Sequence, residues 1–333
     1  MATMKEIADA AGVSQATVSR VLNKGPKVGN ATRERVQRII EELNYRPNAS
    51  ARALATNRRN EIGVVLADLY EPFFAALAHG VDLVARKNNS QLLISSSSVG
   101  LEAEQKAIET LLEHRCDSMV VHSKTLSDSY LLNLAQSIPG LVLINRHIPV
   151  ISNRCVWLDN VAGGKLMAEY MLRQGHRKFA FISSDFSIDD PVDRSKGIRQ
   201  ALNEAGVSLQ ETNIECGQPN PEGGEQAVQN LLARGADFTA ILAYNDAMAS
   251  GAITTLLDHG ISVPGDVSVI GYDDILLAKY CRPKLTTLRY PIEIMASKAS
   301  ELAVAYGRGE TPNPEASFKY NPTIVRRDSV RSI

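Results

Sequence analysis

The segment TMKEIADAAGVSQATVSRVLN, Thr3 to Asn23, constrains local geometry more than any other stretch of this chain. Thr3 followed three positions later by Glu6 is a capping-box start. In it, hydroxyl and carboxylate each take a backbone N–H that the first helical turn leaves without a partner. Ile7, Ala8, Ala10 and Ala11 supply an apolar face at helical spacing. Gly12 can enter the left-handed region that ends a helix. Ser14 is placed to cap a second helix, with Val18, Val21 and Leu22 turned inward. Two short helices joined this tightly form a helix-turn-helix unit, whose second helix can lie in the major groove of DNA. The alternative for the pattern alone is an ordinary helical hairpin.

Charge favours the DNA reading. Residues 1–60 carry eleven Lys/Arg against five Asp/Glu, net +6, while the remaining residues carry 25 basic and 32 acidic side chains, net -7. A basic head on an acidic body places the polyanion at the head alone. At 333 residues the chain exceeds what one core organises, so two or more domains are expected.

Other function classes find little support. Cys116, Cys155, Cys216 and Cys281 lie 39, 61 and 65 residues apart, with no zinc spacing, and read as free core or near-core thiols. No signal-peptide core and no apolar run near the length of a membrane span is present, so a soluble cytoplasmic protein without a membrane partner is expected. The six histidines form no HExxH pair, and no GxGxxG, GxxxxGK[ST] or GxSxG occurs. Neither catalysis, a metal nor a cofactor is expected. Gly163-Gly164 and Gly223-Gly224 read as turn residues at helix starts.

A third amphipathic helix, Thr32 to Leu43, offers Val36, Ile39, Ile40 and Leu43 to close a three-helix core. Tyr45-Arg46-Pro47 stops it, because the residue before proline is pushed out of the helical region. In NASARALATNRR, Asn48 to Arg59, Asn48 can cap a short helix carrying Ala49, Ala51, Ala53, Leu54 and Ala55. Such a helix is too short to persist alone in water. Its arginines suit phosphates, and it makes sense as a hinge that orders on DNA against a second copy, with Leu54 wedged into the minor groove. An alanine-rich flexible linker is the other reading.

From Ile62 onward, β-branched runs at 62–67, 91–95, 118–122, 141–145, 179–183, 239–244 and 267–272 alternate with helical patterns. Continuous apolar strands with helical crossovers mean parallel sheets covered on both faces, here in two similar lobes. Ligands bind at the carboxyl ends of such strands and between lobes. Polar residues just after the strands are therefore candidates: Asp68 with Phe74, Asn145, Asp190, Arg194, Asn245 and Asp273. Carboxylates, amides, a guanidinium and a ring converging on one cleft suit a sugar, whose hydroxyls both donate and accept. For Asn245 and Asp273 a helix cap or turn is the structural alternative.

GVSQATVSRVLN followed by YRPNASARAL closely resembles the lactose/galactose-repressor family of bacterial transcription regulators, and the likeness runs to the closing NPTIVRRDSV. The resemblance implies an all-α helix-turn-helix head plus hinge helix, joined to an α/β two-lobed body like the periplasmic binding proteins, with parallel sheets. The head would span 1–46, the hinge 47–60 and the body 61–333; the first lobe would be about 61–158 plus 290–318, the second about 159–289 plus 319–333. It places Gln15, Ala16 and Arg20 at base-reading positions, Ser14, Thr17, Ser19 and Asn23 at phosphates, and Asn48, Ala51 and Leu54 in the DNA-contacting hinge. Chemistry agrees: Arg20 can bridge guanine O6 and N7, Gln15 can pair with adenine, and Ala16 accepts a thymine methyl. Among effector positions it singles out Arg194, Asn245 and Asp273, then Asn145.

MVVHSK, LVLINR, NRCVWLDN, AYNDAMASGA and LTTLRYP resemble the galactose-repressor and isorepressor branch, implying D-galactose as inducer. The partners implied are double-stranded operator DNA, that sugar and a second copy in a homodimer. Gln15 stands where a small apolar residue is expected, and Asp68-Leu69-Tyr70-Glu71 departs from the usual loop; the first bears on the operator, the second on the sugar. The alternatives are a family member answering another sugar or glycoside, a sugar-binding transport component, and an architectural DNA-binding protein without effector.

Overall fold

The computed structural model describes residues 2–22, 25–45, 61–98, 100–310, 313 and 315–333. The chain forms two compact units, Met1–Arg59 and Asn60–Ile333. Asn23, Asn48, Ala51 and Leu54, with the rest of the expected hinge, lie outside the described residues.

In the first unit three helices, Met4–Ala11, Gln15–Leu22 and Asn30–Glu42, enclose a small core. The capping box is formed: Glu6 N donates to Thr3 Oγ1 at 3.3 Å, and Thr3 N donates to Glu6 Oε2 at 2.6 Å. The backbone N–H and hydroxyl of Thr3 hold the Glu6 carboxyl below its usual range. Gly12 ends the helix at φ 62°, in the left-handed region. Ser14 Oγ then caps the second helix by accepting from Thr17 N at 3.2 Å. Ile7, Ala11, Val18, Val21, Val36 and Ile40 are buried together. Leu43 is not part of this core. The third helix stops at Glu42, which leaves Leu43 41% exposed at the cap, and Tyr45 packs in its place.

The second unit holds two six-stranded sheets. The strands are β1 (Glu61–Leu66), β2 (Gln91–Ser96), β3 (Ser118–Val121), β4 (Gly140–Ile144), β5 (Cys155–Leu158), β6 (Phe179–Ser184), β7 (Ile214–Gly217), β8 (Ala240–Ala243), β9 (Ser268–Asp273), β10 (Thr286–Arg289), β11 (Phe318–Tyr320) and β12 (Thr323–Val325). The first sheet is ordered β11-β5-β4-β3-β1-β2 and the second β12-β10-β9-β8-β6-β7. All pairs are parallel except β10 with β12. β1, β3, β4 and β6 are almost wholly buried, as strands covered on both faces must be. The chain passes between the lobes three times: after β5, after β10 and between β11 and β12.

The seven apolar runs correspond to β1–β4, β6, β8 and β9. The helix Ile292–Gly307 carries no such signal. Its buried face, against β3, β4 and the helix Pro72–Lys87, is built largely of small Ala and Ser residues, so it contrasts weakly with the Glu293, Lys298 and Glu301 stripe on its outer side. Two further readings need correction. Cys216 is exposed at the short edge strand β7, whereas Cys116 and Cys155 are buried. Gly163 and Gly164 lie inside the helix Asn160–Arg173, and Gly223 and Gly224 inside Pro221–Ala233. They serve close packing rather than turns. A Cβ on Gly164 would meet the Arg194 carbonyl oxygen at 2.0 Å, so only glycine lets this helix seat against Asp189–Glu204.

Candidate nucleic-acid and effector sites

The helix Gln15–Leu22 turns Val18 and Val21 into the head core, which leaves Gln15, Ala16 and Arg20 exposed on the opposite face. Ser14 is exposed at its start, while Thr17 and Ser19 are half-buried. The Ser14 and Thr17 hydroxyls lie 3.0 Å apart, so part of their hydrogen-bonding capacity stabilises the helix start. Arg33 donates to the Gly25 carbonyl at 2.9 Å and ties the following loop to the third helix. The outcome is a rigid helix presenting a long cation, an amide and a methyl side by side, the donor and apolar set that reads base edges.

In the second unit, β1, β3 and β4 of one sheet and β6, β8 and β9 of the other direct their carboxyl ends at a shared cavity of about 460 Å³. Asp68, Phe74, Asn145, Asp190, Arg194, Asn245 and Asp273 all line it. The backbone is bent to place some of them. Asn145 at φ 56°, Asp273 at φ 110° and Ser98 at φ 54° all adopt positive φ, and each faces this cavity. Such conformations in non-glycine residues cost of order 1–3 kcal/mol and gather at functional sites.

Arg194 is the hub. The residue is 4% exposed, and its Nε donates to Asn160 Oδ1 at 3.0 Å and its Nη1 to the Tyr244 carbonyl at 2.5 Å. Its guanidinium carbon lies over the rings of Tyr272, at 3.7 Å, and Tyr244, at 4.5 Å. Burial opposes the charge, but Tyr244, Tyr272, Asp273 and Asp190 outweigh it and raise the guanidinium pKa above its ordinary value. Asp273 Oδ1 stands 3.8 Å from Arg194 Nη2. Burial pushes the Asp273 carboxyl up to about 7, even though Arg194 pulls the other way.

Asp190 behaves oppositely. Burial works against its ionisation, but Lys124 and Arg194 hold its pKa below the usual range. Lys124 Nζ donates to it at 2.7 Å, and Asn145 Nδ2 and Asn160 Nδ2 each donate at 3.1 Å. Asn245 acts as a helix cap: its Oδ1 accepts from Met248 N at 2.8 Å, and its Nδ2 donates to the Pro219 carbonyl at 2.9 Å. Asp68 Oδ1 accepts from Tyr70 N at 2.9 Å, which shapes the loop after β1. Phe74 stands edge-on to His122 with ring centroids 5.1 Å apart.

Lys124, His122 and Tyr290 are cavity residues absent from the sequence-level set. The first two follow β3 directly, so the strand-end rule that found Asn145 also marks them. Burial and Lys124 push the His122 imidazole down to about 3, so it is neutral at any ordinary pH. The Nδ1 of His122 and the hydroxyl of Tyr290 are buried with no hydrogen-bond partner among the described residues. Unsatisfied polar atoms at a cavity wall are positioned for a ligand that supplies the missing partner. Acceptors, donors and aromatic edges here can hold a compact polar ligand. Among the described residues no cluster could hold a metal ion, and no helix is long and apolar enough to cross a membrane.

Comparison with known proteins agrees with both halves. The family of bacterial regulatory proteins, lacI family, matches residues 3–48, and the periplasmic binding protein-like domain matches residues 168–330. The chain is 46% identical over 330 residues to the HTH-type transcriptional regulator GalR of Escherichia coli, covering 99% of this chain and 96% of that protein. It is likewise 46% identical over 330 residues to the regulator GalS of Salmonella typhimurium, covering 99% and 97%. The Lac repressor bound to ONPG in the repressed state shares the fold at a TM-score of 0.87, over 99% of both chains and at 25% identity. The chain therefore belongs to the lacI family of bacterial regulatory proteins and is a DNA-binding transcription regulator close to GalR and GalS.

Proposed function

We propose that this regulator represses transcription from operator DNA until a sugar, D-galactose, occupies the cavity between its lobes. The observation that carries the sugar reading is the cavity itself: Arg194, Asp273 and the unpaired hydroxyl of Tyr290 belong to one lobe, and the unpaired Nδ1 of His122 belongs to the other. A carboxylate and a guanidinium each pair with sugar hydroxyls through charge-assisted hydrogen bonds, and a neutral imidazole can accept or donate a further one. Galactose rests on the resemblance to the galactose-repressor branch and on the 46% identity to GalR and GalS. Asp68, Phe74, Asn145, Asp190, Arg194, Asn245 and Asp273 form the effector wall in this reading.

In the head, Gln15, Ala16 and Arg20 read bases, while Ser14, Thr17, Ser19 and Asn23 meet phosphates. The segment 47–60, with Asn48, Ala51 and Leu54, acts as a hinge between head and body. Two copies bind a pseudo-palindromic operator, because one head offers too few contacts for gene-level specificity. Sugar favours one arrangement of the two lobes, and operator affinity follows because only one arrangement holds the hinges together. Calorimetric titration with D-galactose, D-fucose, D-ribose and a purine tests the effector. Saturable binding of galactose alone or most tightly is expected, and tight binding of the purine instead would overturn the sugar reading.

A further inference from the structure

Asp190 is gripped from both lobes at once. Lys124 and Asn145 reach it from the ends of β3 and β4, while Asn160 holds it from its own lobe. Lys124 Nζ also donates to the Asn145 carbonyl at 2.6 Å, and the Lys124 and Asp190 side chains are each only 9% exposed. The loop bearing Lys124 is itself pinned: buried Glu104 accepts from Ser123 Oγ at 2.5 Å, Lys124 N at 3.1 Å and Thr125 N at 3.2 Å. Lys124, Asn145 and Asp190 line the cavity of about 460 Å³ and also a second one of about 1000 Å³. The second cavity is bounded by Trp157 and Asp159 near the first crossing between lobes, and there His147 stacks on Trp157 with ring centroids 4.5 Å apart. The three residues are thus a partition between two spaces, either of which falls in the range that holds small ligands.

We propose that the Lys124–Asp190 bridge is a size gate that confines the effector to a single sugar ring. The proposal rests on the sugar reading of the cavity. A second ring attached to the first would have to pass the partition to reach the space beside His147 and Trp157. Passing it means separating a charge-assisted pair that water barely reaches, and leaving one buried charge without its partner. A single ring needs neither step. The lysine acts here through its volume as well as its charge: its chain fills the gap, and its ammonium fastens the two lobes across it.

Two substitutions at one position separate these effects. Lys124→Ala removes the filling chain and opens the partition, whereas Lys124→Met loses the charge but keeps the chain in place. In both, Asp190 retains the amide donors of Asn145 and Asn160. Calorimetry on the full chain with D-galactose and with the disaccharide melibiose reads the ratio of the two affinities, with melting curves checking the fold. Wild type is expected to favour galactose by about tenfold or more. Lys124→Ala should narrow that ratio about tenfold, while Lys124→Met, which loses the ion pair but keeps the filling chain, should narrow it clearly less. If Lys124→Ala does not fold, the paired Lys124→Ala/Asp190→Ser variant removes both charges and takes its place. Equal affinities in wild type, or equal ratios in the Ala and Met variants, overturn the gate. Wild type that binds neither sugar overturns the sugar reading and the gate together, whereas galactose binding with an unmoved ratio overturns the gate alone.

Discussion

The Arg194 guanidinium carbon lies over the Tyr272 ring, 3.7 Å from the ring centroid. Tyr272 is fully buried, so this cation–π contact is shielded from water on the ring side. The stack fixes the plane of the guanidinium. Nε then serves Asn160 and Nη1 the Tyr244 carbonyl, which leaves Nη2 near Asp273 at the cavity.

Arg194→Lys should retain a positive charge yet lose both the stack and the fork of donors. Galactose affinity is expected to fall about tenfold to a hundredfold, in line with the ~1.5–3 kcal/mol of a hydrogen bond to a charged group. Operator binding without sugar should be nearly unchanged. Anisotropy with labelled operator checks this, and wild-type galactose affinity in the variant would remove Arg194 from the effector site.

Gly164→Ala tests the same residue from behind. The added Cβ would lie 2.0 Å from the Arg194 carbonyl oxygen, a backbone atom that cannot swing aside. The helix Asp189–Glu204 must shift and carry Arg194 and Asp190 with it. Overpacking of this kind costs ~1–3 kcal/mol, so a lower melting temperature and weaker galactose binding should appear together. Loss of stability with fully retained affinity would show that the two helices do not position the site.

Affinity for a neutral sugar should depend on pH near neutrality. Asp273 titrates at about 7 because burial disfavours its carboxylate, against the pull of Arg194 and with Asp190 and Glu71 nearby. A carboxylate accepting sugar hydroxyls binds best when ionised, so affinity is expected to rise from pH 6 to pH 8. Asp273→Asn should flatten the profile. Stability runs the other way for this group. Its folded pKa lies above the ordinary carboxylate value of 3.8, so the folded state binds more protons between about 4 and 7, and its contribution declines as pH rises through that window. His122, lowered by burial from 6.5 to about 3, acts oppositely: stability is lost as pH falls below 6.5, by up to ~1.4 kcal/mol per unit. His122→Phe should therefore flatten acid unfolding between pH 6.5 and 4, which pH-dependent denaturant melts will show.

On the head, Arg20 is exposed on the face opposite buried Val18 and Val21. Arg20→Ala should cost ~1–3 kcal/mol of discrimination at one operator position while leaving weak, salt-sensitive binding to any duplex. A selection experiment on random duplexes reads this directly, and an unaltered consensus would exclude Arg20 from base contact.

Much of this was written in local patterns. Thr3, Glu6, Gly12 and Ser14 act through neighbours three or four residues away, so the first two helices and their turn are legible in order. Runs such as Ile62 to Leu66 are buried on both faces, and their β-branched continuity announces it. Residues on or just after those runs line one cavity, since strand ends are where parallel sheets open. What stayed hidden depends on distance in sequence. Lys124 and Asp190 are 66 residues apart, and nothing near either one names its partner. The helix Ile292–Gly307 packs on elements from far earlier in the chain, and its buried face is built largely of Ala and Ser beside a short Glu293, Lys298 and Glu301 stripe, a weak contrast to read from sequence. Short edge strands such as Phe318–Tyr320 carry too few residues for any period to show.

The coupling between the head and the effector cavity is most directly measured by titrating the full-length protein onto its selected operator, with and without saturating D-galactose. A coupling of ~1–3 kcal/mol, or roughly 5- to 150-fold weaker operator binding with the sugar present, is what a repressor induced through its interlobe cavity should give. Operator affinity that galactose leaves unchanged, in a protein that demonstrably binds the sugar, would contradict it.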